Sequence, residues 1–269
     1  MMKFLKRAYL MIILLVLYAP IVLLMIYSFN EGKTSTWQGF SFKWYEQLFN
    51  NRSIQEAFLN TIIVATVAAI VSTIIGTLAA IGINNMSARK RNVVMNLTYI
   101  PLLSPDIVIG ISLMLLFSAL NQAIGIQFGL TTLILSHITF CTPYVILSVM
   151  PRLRVMNKNV YEAALDLGAT PFQAFKQVVL PEILPGVIAG AFLAFTLSID
   201  DFVVSFFNTG SGVNTLSIQI YSMARRGVSP EINGISTLMF TAIILILVGV
   251  NMRANKKARQ IEAQNKARV

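Results

Sequence analysis

The chain has 269 residues, 56% of them hydrophobic and 12% charged, with a mean hydropathy of +0.71. A soluble domain carries about twice that charged share, so the composition points to an integral membrane protein. The formal net charge of +10 does not point to nucleic acid. All 21 Lys and Arg lie outside the apolar stretches and gather at their ends, as lipid topology requires.

A single cysteine, Cys141, excludes an internal disulfide, and a single histidine, His137, cannot found a metal site of the usual clustered kind. His137 is expected to make a polar contact between helices.

Lys3, Lys6 and Arg7 precede an uncharged run to Asn30. The run is too long for a signal-peptide core and lacks a small-x-small cleavage site, so a retained first span is expected over about 8–30. A polar loop follows, with Trp37, Trp44 and Tyr45 as candidate interfacial residues. Gly32-Lys33-Thr34 resembles the end of a P-loop, but Tyr27 stands where the earlier glycine is required and the preceding run is far longer than a strand. No ATP site is expected here or elsewhere, and the chain is not expected to be an enzyme by itself.

Further spans are expected over about 57–83, 93–120, 128–150, 183–207 and 232–250. They form one transmembrane domain, 1–252, followed by a basic tail, 253–269. Six spans put both termini on one face. That face holds sixteen Lys and Arg: three before the first span, Arg89–Arg91, four in the 151–182 loop and six in the tail. The other face holds five. The positive-inside rule places the termini and the 151–182 loop in the cytoplasm. No internal repeat is evident, so an inverted-repeat carrier gains no support.

Within that loop, Tyr161–Pro181 reads as two short amphipathic helices. The first is expected to start around Asn159, with Glu162 near its positive end, and to stop at Gly168. The second opens with Thr170 as N-cap, Pro171 at the first helical position and Gln173 completing a capping box, and is expected to halt before Pro181.

Asp106, Asp200 and Asp201 sit in stretches otherwise suited to lipid, where a carboxylate is costly unless it meets water or a partner. No Lys or Arg in any span can neutralise them, so a cation from outside the chain is a candidate partner. Helical rise puts Asp106 about 20 Å and Asp200 about 26 Å into their spans. Pro101 and Pro105 can interrupt span three beside Asp106. Two bland alternatives stand: Asp106 capping a helix that restarts after Pro105, and one acid of the pair bonding a neighbouring helix. Ser198 and Ser205 flank the pair at helical spacing and can line the same path. Gly186-x3-Gly190, extended by Ala194, is explained by close helix packing.

Glu162-Ala163-Ala164, Gly168, Val178 and Leu180-Pro181 resemble the EAA motif of ABC-importer permease subunits, with Val178 where isoleucine is more usual. The stretches 103–108, 197–210 and 220–233 resemble the PotC-type second permease subunit of spermidine/putrescine importers, and the similarity extends over nearly the whole chain. The resemblance implies an all-α, six-helix type I ABC importer permease in the bacterial plasma membrane, whose cytoplasmic loop is a coupling helix. On it, Glu162, Ala163, Ala164, Gly168, Leu180 and Pro181 would couple to an ATPase. Asp106, Asp200, Asp201, Ser198 and Trp44 would line the substrate path, Trp44 either as a cation–π face or as an interfacial anchor. The implied partners are a second permease subunit, an ABC ATPase dimer that holds ATP and magnesium, and an extracytoplasmic polyamine-binding protein. This chain itself is expected to bind no cofactor, metal or nucleic acid.

Two alternatives remain on sequence grounds. The same architecture can carry another cargo, although an anion carrier would be expected to place basic groups at the depth of the acids. A channel or carrier independent of ATP would have the acids but would leave the capped loop unexplained. A membrane-embedded enzyme is disfavoured by the absence of a clustered nucleophile and base.

Overall fold

A computed structural model of the chain describes residues 2–33, 36–226, 230–242, 244–245 and 248–249. The described residues are almost entirely helical, apart from an isolated antiparallel bridge between Asn30 and Phe40. Among the described residues, five helices are long and apolar enough to cross a membrane: Lys6–Tyr27, Arg52–Asn84, Asp106–Ile124, Leu130–Val155 and Pro171–Asp200. The expected sixth span, 232–250, is described as helix over 230–242, 244–245 and 248–249. The expected tail, 253–269, lies outside the described residues.

Backbone contacts group the chain into two compact units, one of residues 1–54 and 220–269 and one of residues 55–219. In the first, α1 (Met2–Tyr27) presents an apolar surface exposed along most of its length. The loop after it closes around Asn30. The Asn30 side chain donates to the Thr36 carbonyl and accepts from the Gln38 N–H, while its backbone carbonyl accepts from the Trp44 indole at 2.7 Å. Phe29, Phe40, Phe42 and Tyr45 stack beside it, and α2 (Lys43–Asn50) carries Trp44 and Tyr45.

The second unit begins within α3 (Arg52–Asn84) and continues with α4 (Ala88–Leu103), α5 (Asp106–Ile124) and α6 (Leu130–Val155). The span expected over 93–120 is therefore two helices, and only α5 is long and apolar enough to cross a membrane. Pro105 explains the break. It has no N–H to continue the ladder and holds Ser104 extended, with ψ near 142°.

The chain after α6 forms α7 (Lys158–Asp166), α8 (Pro171–Ala174), one π-type turn (Phe175–Val179) and α9 (Leu180–Asp200), followed by α10 (Val203–Asn208) and α11 (Leu216–Arg226). The core of this unit lies around α6, where Cys141, Val145 and Val149 are fully buried. The tightest seam is α6 against α9. A Cβ at Gly186 would stand 2.8 Å from the Ser148 carbonyl oxygen, and one at Gly190 3.3 Å from Ser148 and Val145. The glycines let the two helices approach closely, the packing their spacing suggests.

Candidate functional site

Two places in the second unit hold the residues that the sequence singles out. The first is the loop between α6 and α9. Asn157 caps α7 by accepting from the Asn159 N–H at 3.0 Å, so the helix begins at Lys158 and its cap stands two residues before the expected Asn159. Its end is a Schellman closure: the Gly168 N–H donates to the Leu165 carbonyl at 2.9 Å and the Ala169 N–H to the Ala164 carbonyl at 3.1 Å. Gly168 supplies the left-handed residue this closure needs, with φ +88°. Thr170 and Gln173 make the expected capping box, at 2.9 and 3.3 Å, with Pro171 at the first helical position.

Pro181 does not end this helix. The chain turns once as a π-type turn, the Leu180 N–H bonding the Phe175 carbonyl, and continues into α9 with Pro181 in its first turn. The wider turn accommodates a residue that has no N–H and whose ring clashes with the preceding turn. Glu162, Ala163, Gly168 and Pro181 are exposed, while Ala164 and Leu180 are half-buried. Beside them Leu167 and Phe172 are 90% and 72% exposed. Apolar side chains that stand out from a polar, rigidly capped turn mark a surface for a partner protein.

The second place is where α5, α6, α9 and α10 meet. Asp106 opens α5, and its side chain is exposed. Pro105, not Asp106, stands at the N-cap, and Asp106 makes no side-chain cap bond there. The free N–H groups of a helix start still favour a carboxylate at this position. Gly110, one turn further on the same face, brings α10 close: its Cβ would meet the Val203 carbonyl oxygen at 3.3 Å, and its own carbonyl accepts from the Asn208 amide at 3.1 Å. On α6, Tyr144 is half-buried and meets Phe140 edge-on, with ring centroids 5.5 Å apart. It had no distinguishing mark in the sequence, because a lone tyrosine in an apolar helix reads as packing.

Asp200 ends α9 with its side chain exposed. Asp201 is turned inward, its side chain only 6% exposed. Its carboxylate accepts from the Ser205 N–H at 2.8 Å and the Val204 N–H at 3.3 Å, so it stabilises the start of α10. His137 on α6 is buried and bonds Ser198 through Nδ1 at 2.6 Å and Ser205 through Nε2 at 2.9 Å, the helix-to-helix contact expected of it.

Three residues expected along a substrate path therefore sit otherwise. Asp201 is held by backbone donors, and Ser198 is buried with its hydroxyl engaged by His137. Trp44 is buried in the other unit, its indole N–H tied to Asn30 and its ring beneath Lys43 at 5.6 Å, so it offers no open face to a cargo cation. Of the five, Asp106 and Asp200 present exposed side chains.

The family of binding-protein-dependent transport system inner membrane components matches residues 72–254. The chain is 38% identical to the spermidine/putrescine transport system permease protein PotC of Haemophilus influenzae, over 91% of this chain and 94% of that one. It is 42% identical to the putrescine transport system permease protein PotI of Escherichia coli K12, over 86% and 83% of the two chains. A crystal structure of a bacterial ABC transporter that imports the acidic polysaccharide alginate superposes with a TM-score of 0.69 over 94% of this chain and 95% of its counterpart. At 14% identity that likeness shows the fold alone. The chain belongs to the binding-protein-dependent transport system inner membrane components, the permease subunits of ABC importers.

Proposed function

We propose that this chain is the permease subunit of an ATP-driven polyamine importer, forming half of the translocation path for spermidine or putrescine. The observation that carries the reading is the pair of exposed carboxylates, Asp106 and Asp200, at helix ends beside α10, with no Lys or Arg in α5 or α9. Two separated anions suit a cargo of spaced ammonium groups. The identity to polyamine permeases along nearly the full length supports the same cargo.

In this reading an extracytoplasmic binding protein delivers the polyamine, and Asp106 and Asp200 replace water around its ammonium groups during passage. Few acids rather than a closed cage keep binding weak enough for release. Asp201 and Ser198 support the site from behind it. Residues 1–252 form one transmembrane domain with both termini in the cytoplasm, as the excess of Lys and Arg on that face supports. ATP and magnesium belong to a partner ATPase dimer, which grips the exposed surface of α7 and α8. Glu162, Ala163, Ala164, Gly168, Leu180 and Pro181 shape that surface, and a second permease subunit completes the path.

Uptake of labelled spermidine and putrescine in cells that carry Asp106→Asn or Asp200→Asn tests the assignment. The expected result is a drop of about tenfold or more with normal membrane levels of the subunit, as loss of a charge-assisted contact implies. Undiminished uptake in both variants would remove the carboxylates from the path.

A further inference from the structure

Asp200 and Asp201 are adjacent in sequence, yet one side chain is exposed and the other buried. Beside them runs a line of buried polar groups whose centre, His137, comes from α6. Ser198 lies 2.6 Å from His137 Nδ1, and Ser205 lies 2.9 Å from His137 Nε2. The Asp201 carboxylate in turn accepts from the Ser205 N–H at 2.8 Å, and His137 Nε2 stands 3.6 Å from Asp201 Oδ2. An imidazole with one N–H and one lone pair can accept from one hydroxyl and donate to another. The Asp201 carboxylate beside Nε2 favours a proton on that nitrogen, so that Ser198 donates to Nδ1 and Nε2–H donates to Ser205.

This line joins the last turn of α9 to the first turn of α10 across the break at Asp201 and Phe202, and it is anchored in the middle of α6. The other end of α10 is pinned to α6 as well, through the Thr132 hydroxyl, which donates to the Asn208 carbonyl at 3.0 Å. Both ends of α10 are thus tied to α6.

We infer that His137 is a positioning residue that sorts the acid pair: by clamping α9 to α10 it keeps Asp201 inward and leaves Asp200 to face the transport path. The inference rests on the reading of Asp200 as a polyamine contact. Without the ring, two buried hydroxyls lose their shared partner and the Asp201 carboxylate loses the group that orders its neighbour. The turn then no longer dictates which acid points outward.

The test uses the complete transporter in proteoliposomes, with His137→Leu, His137→Gln, Asp201→Asn and the double variant His137→Leu/Asp201→Asn. His137→Leu raises the half-saturating spermidine concentration tenfold or more while the maximal rate stays within threefold. His137→Gln, which can still bridge hydroxyls, recovers most of the loss. The double variant is no worse than the worse single one, because both act on one arrangement. A half-saturating concentration within twofold of the parent in His137→Leu, or losses that multiply in the double variant, would overturn the inference.

A second measurement does not depend on polyamine transport. In a Cys141→Ser background, Asp200→Cys is labelled with a small cationic thiol reagent, with His137 intact or changed to Gln or Asn. Asn is too short to bridge the two serines and shifts the labelling rate about tenfold, while Gln leaves it within threefold. Equal rates in all three would contradict the positioning role. A parent complex that takes up no spermidine would instead defeat the functional reading, and the labelling comparison would still decide the role of His137.

Discussion

The loop between α6 and α9 and the meeting point of α5, α9 and α10 both carry residues that stand out from an apolar chain, but they are built by different physics. In the loop, each notable residue acts on backbone within a few positions of itself: Asn157 on Asn159, Gly168 on Leu165, Thr170 on Gln173. At the acid site Asp201 still acts locally, on Val204 and Ser205. Other contacts there reach far in sequence: His137 to Ser198 and Ser205, 61 and 68 positions on, and Asn208 to Gly110, 98 positions back. The loop is a rigid shape made locally and presented outward. The acid site is an arrangement of charges that exists only when three membrane helices pack. The first suits transmission of force to a partner, and the second suits discrimination of cargo.

The sharpest way to break the contrast is at Gly168. Gly168→Asp puts a side chain on a residue at φ +88°, a left-handed conformation that costs an L-residue about 1–2 kcal/mol, and adds charge to an exposed docking surface. Uptake is expected to fall to background and the ATPase to be lost from the purified complex, with the subunit still in the membrane. Retention of the ATPase on affinity purification would detach the loop from coupling.

Next in size is the α6–α9 seam, on which the acid site depends and the loop caps do not. Gly186→Leu drives a side chain into the Ser148 carbonyl and the Arg152 stem. Overpacking of this kind costs about 1–3 kcal/mol. The detergent-solubilised complex is expected to melt several degrees lower, with spermidine affinity reduced. An unchanged melting temperature would mean that the seam yields without cost.

These expectations also mark how far the sequence could be read. Capping boxes, the C-terminal glycine and the glycine pair were legible because each depends on neighbours at fixed offsets. Even there two details escaped. Asn157 and Asn159 are equally good caps on composition, and Pro181 reads as a stop unless a π-type turn precedes it. The acids were legible as residue types but not as directions. Nothing in Ser198-Ile199-Asp200-Asp201 says which carboxylate is free, because the answer lies on α6. Trp44 failed as an open aromatic for the same reason: its partner is the Asn30 carbonyl, fourteen residues earlier in a loop with no regular period.

The smallest expected effect lies in the loop. Thr170→Ala removes one side-chain cap, at a cost of about 1 kcal/mol. A modest loss of coupled ATPase stimulation, twofold to threefold, is expected with cargo affinity unchanged. A shift in affinity instead would show that the two regions are not separable.

In the proposed function, cargo is held by the acids of this chain while the energy comes from a partner through the loop. The most direct measurement is spermidine uptake into proteoliposomes, comparing this subunit alone with the full set of second permease, ATPase and binding protein, with and without ATP. Uptake is expected only with the full set and ATP, and is expected to be lost in Asp106→Asn/Asp200→Asn while basal ATPase activity persists. Spermidine uptake by this chain alone, without ATP, would contradict that function.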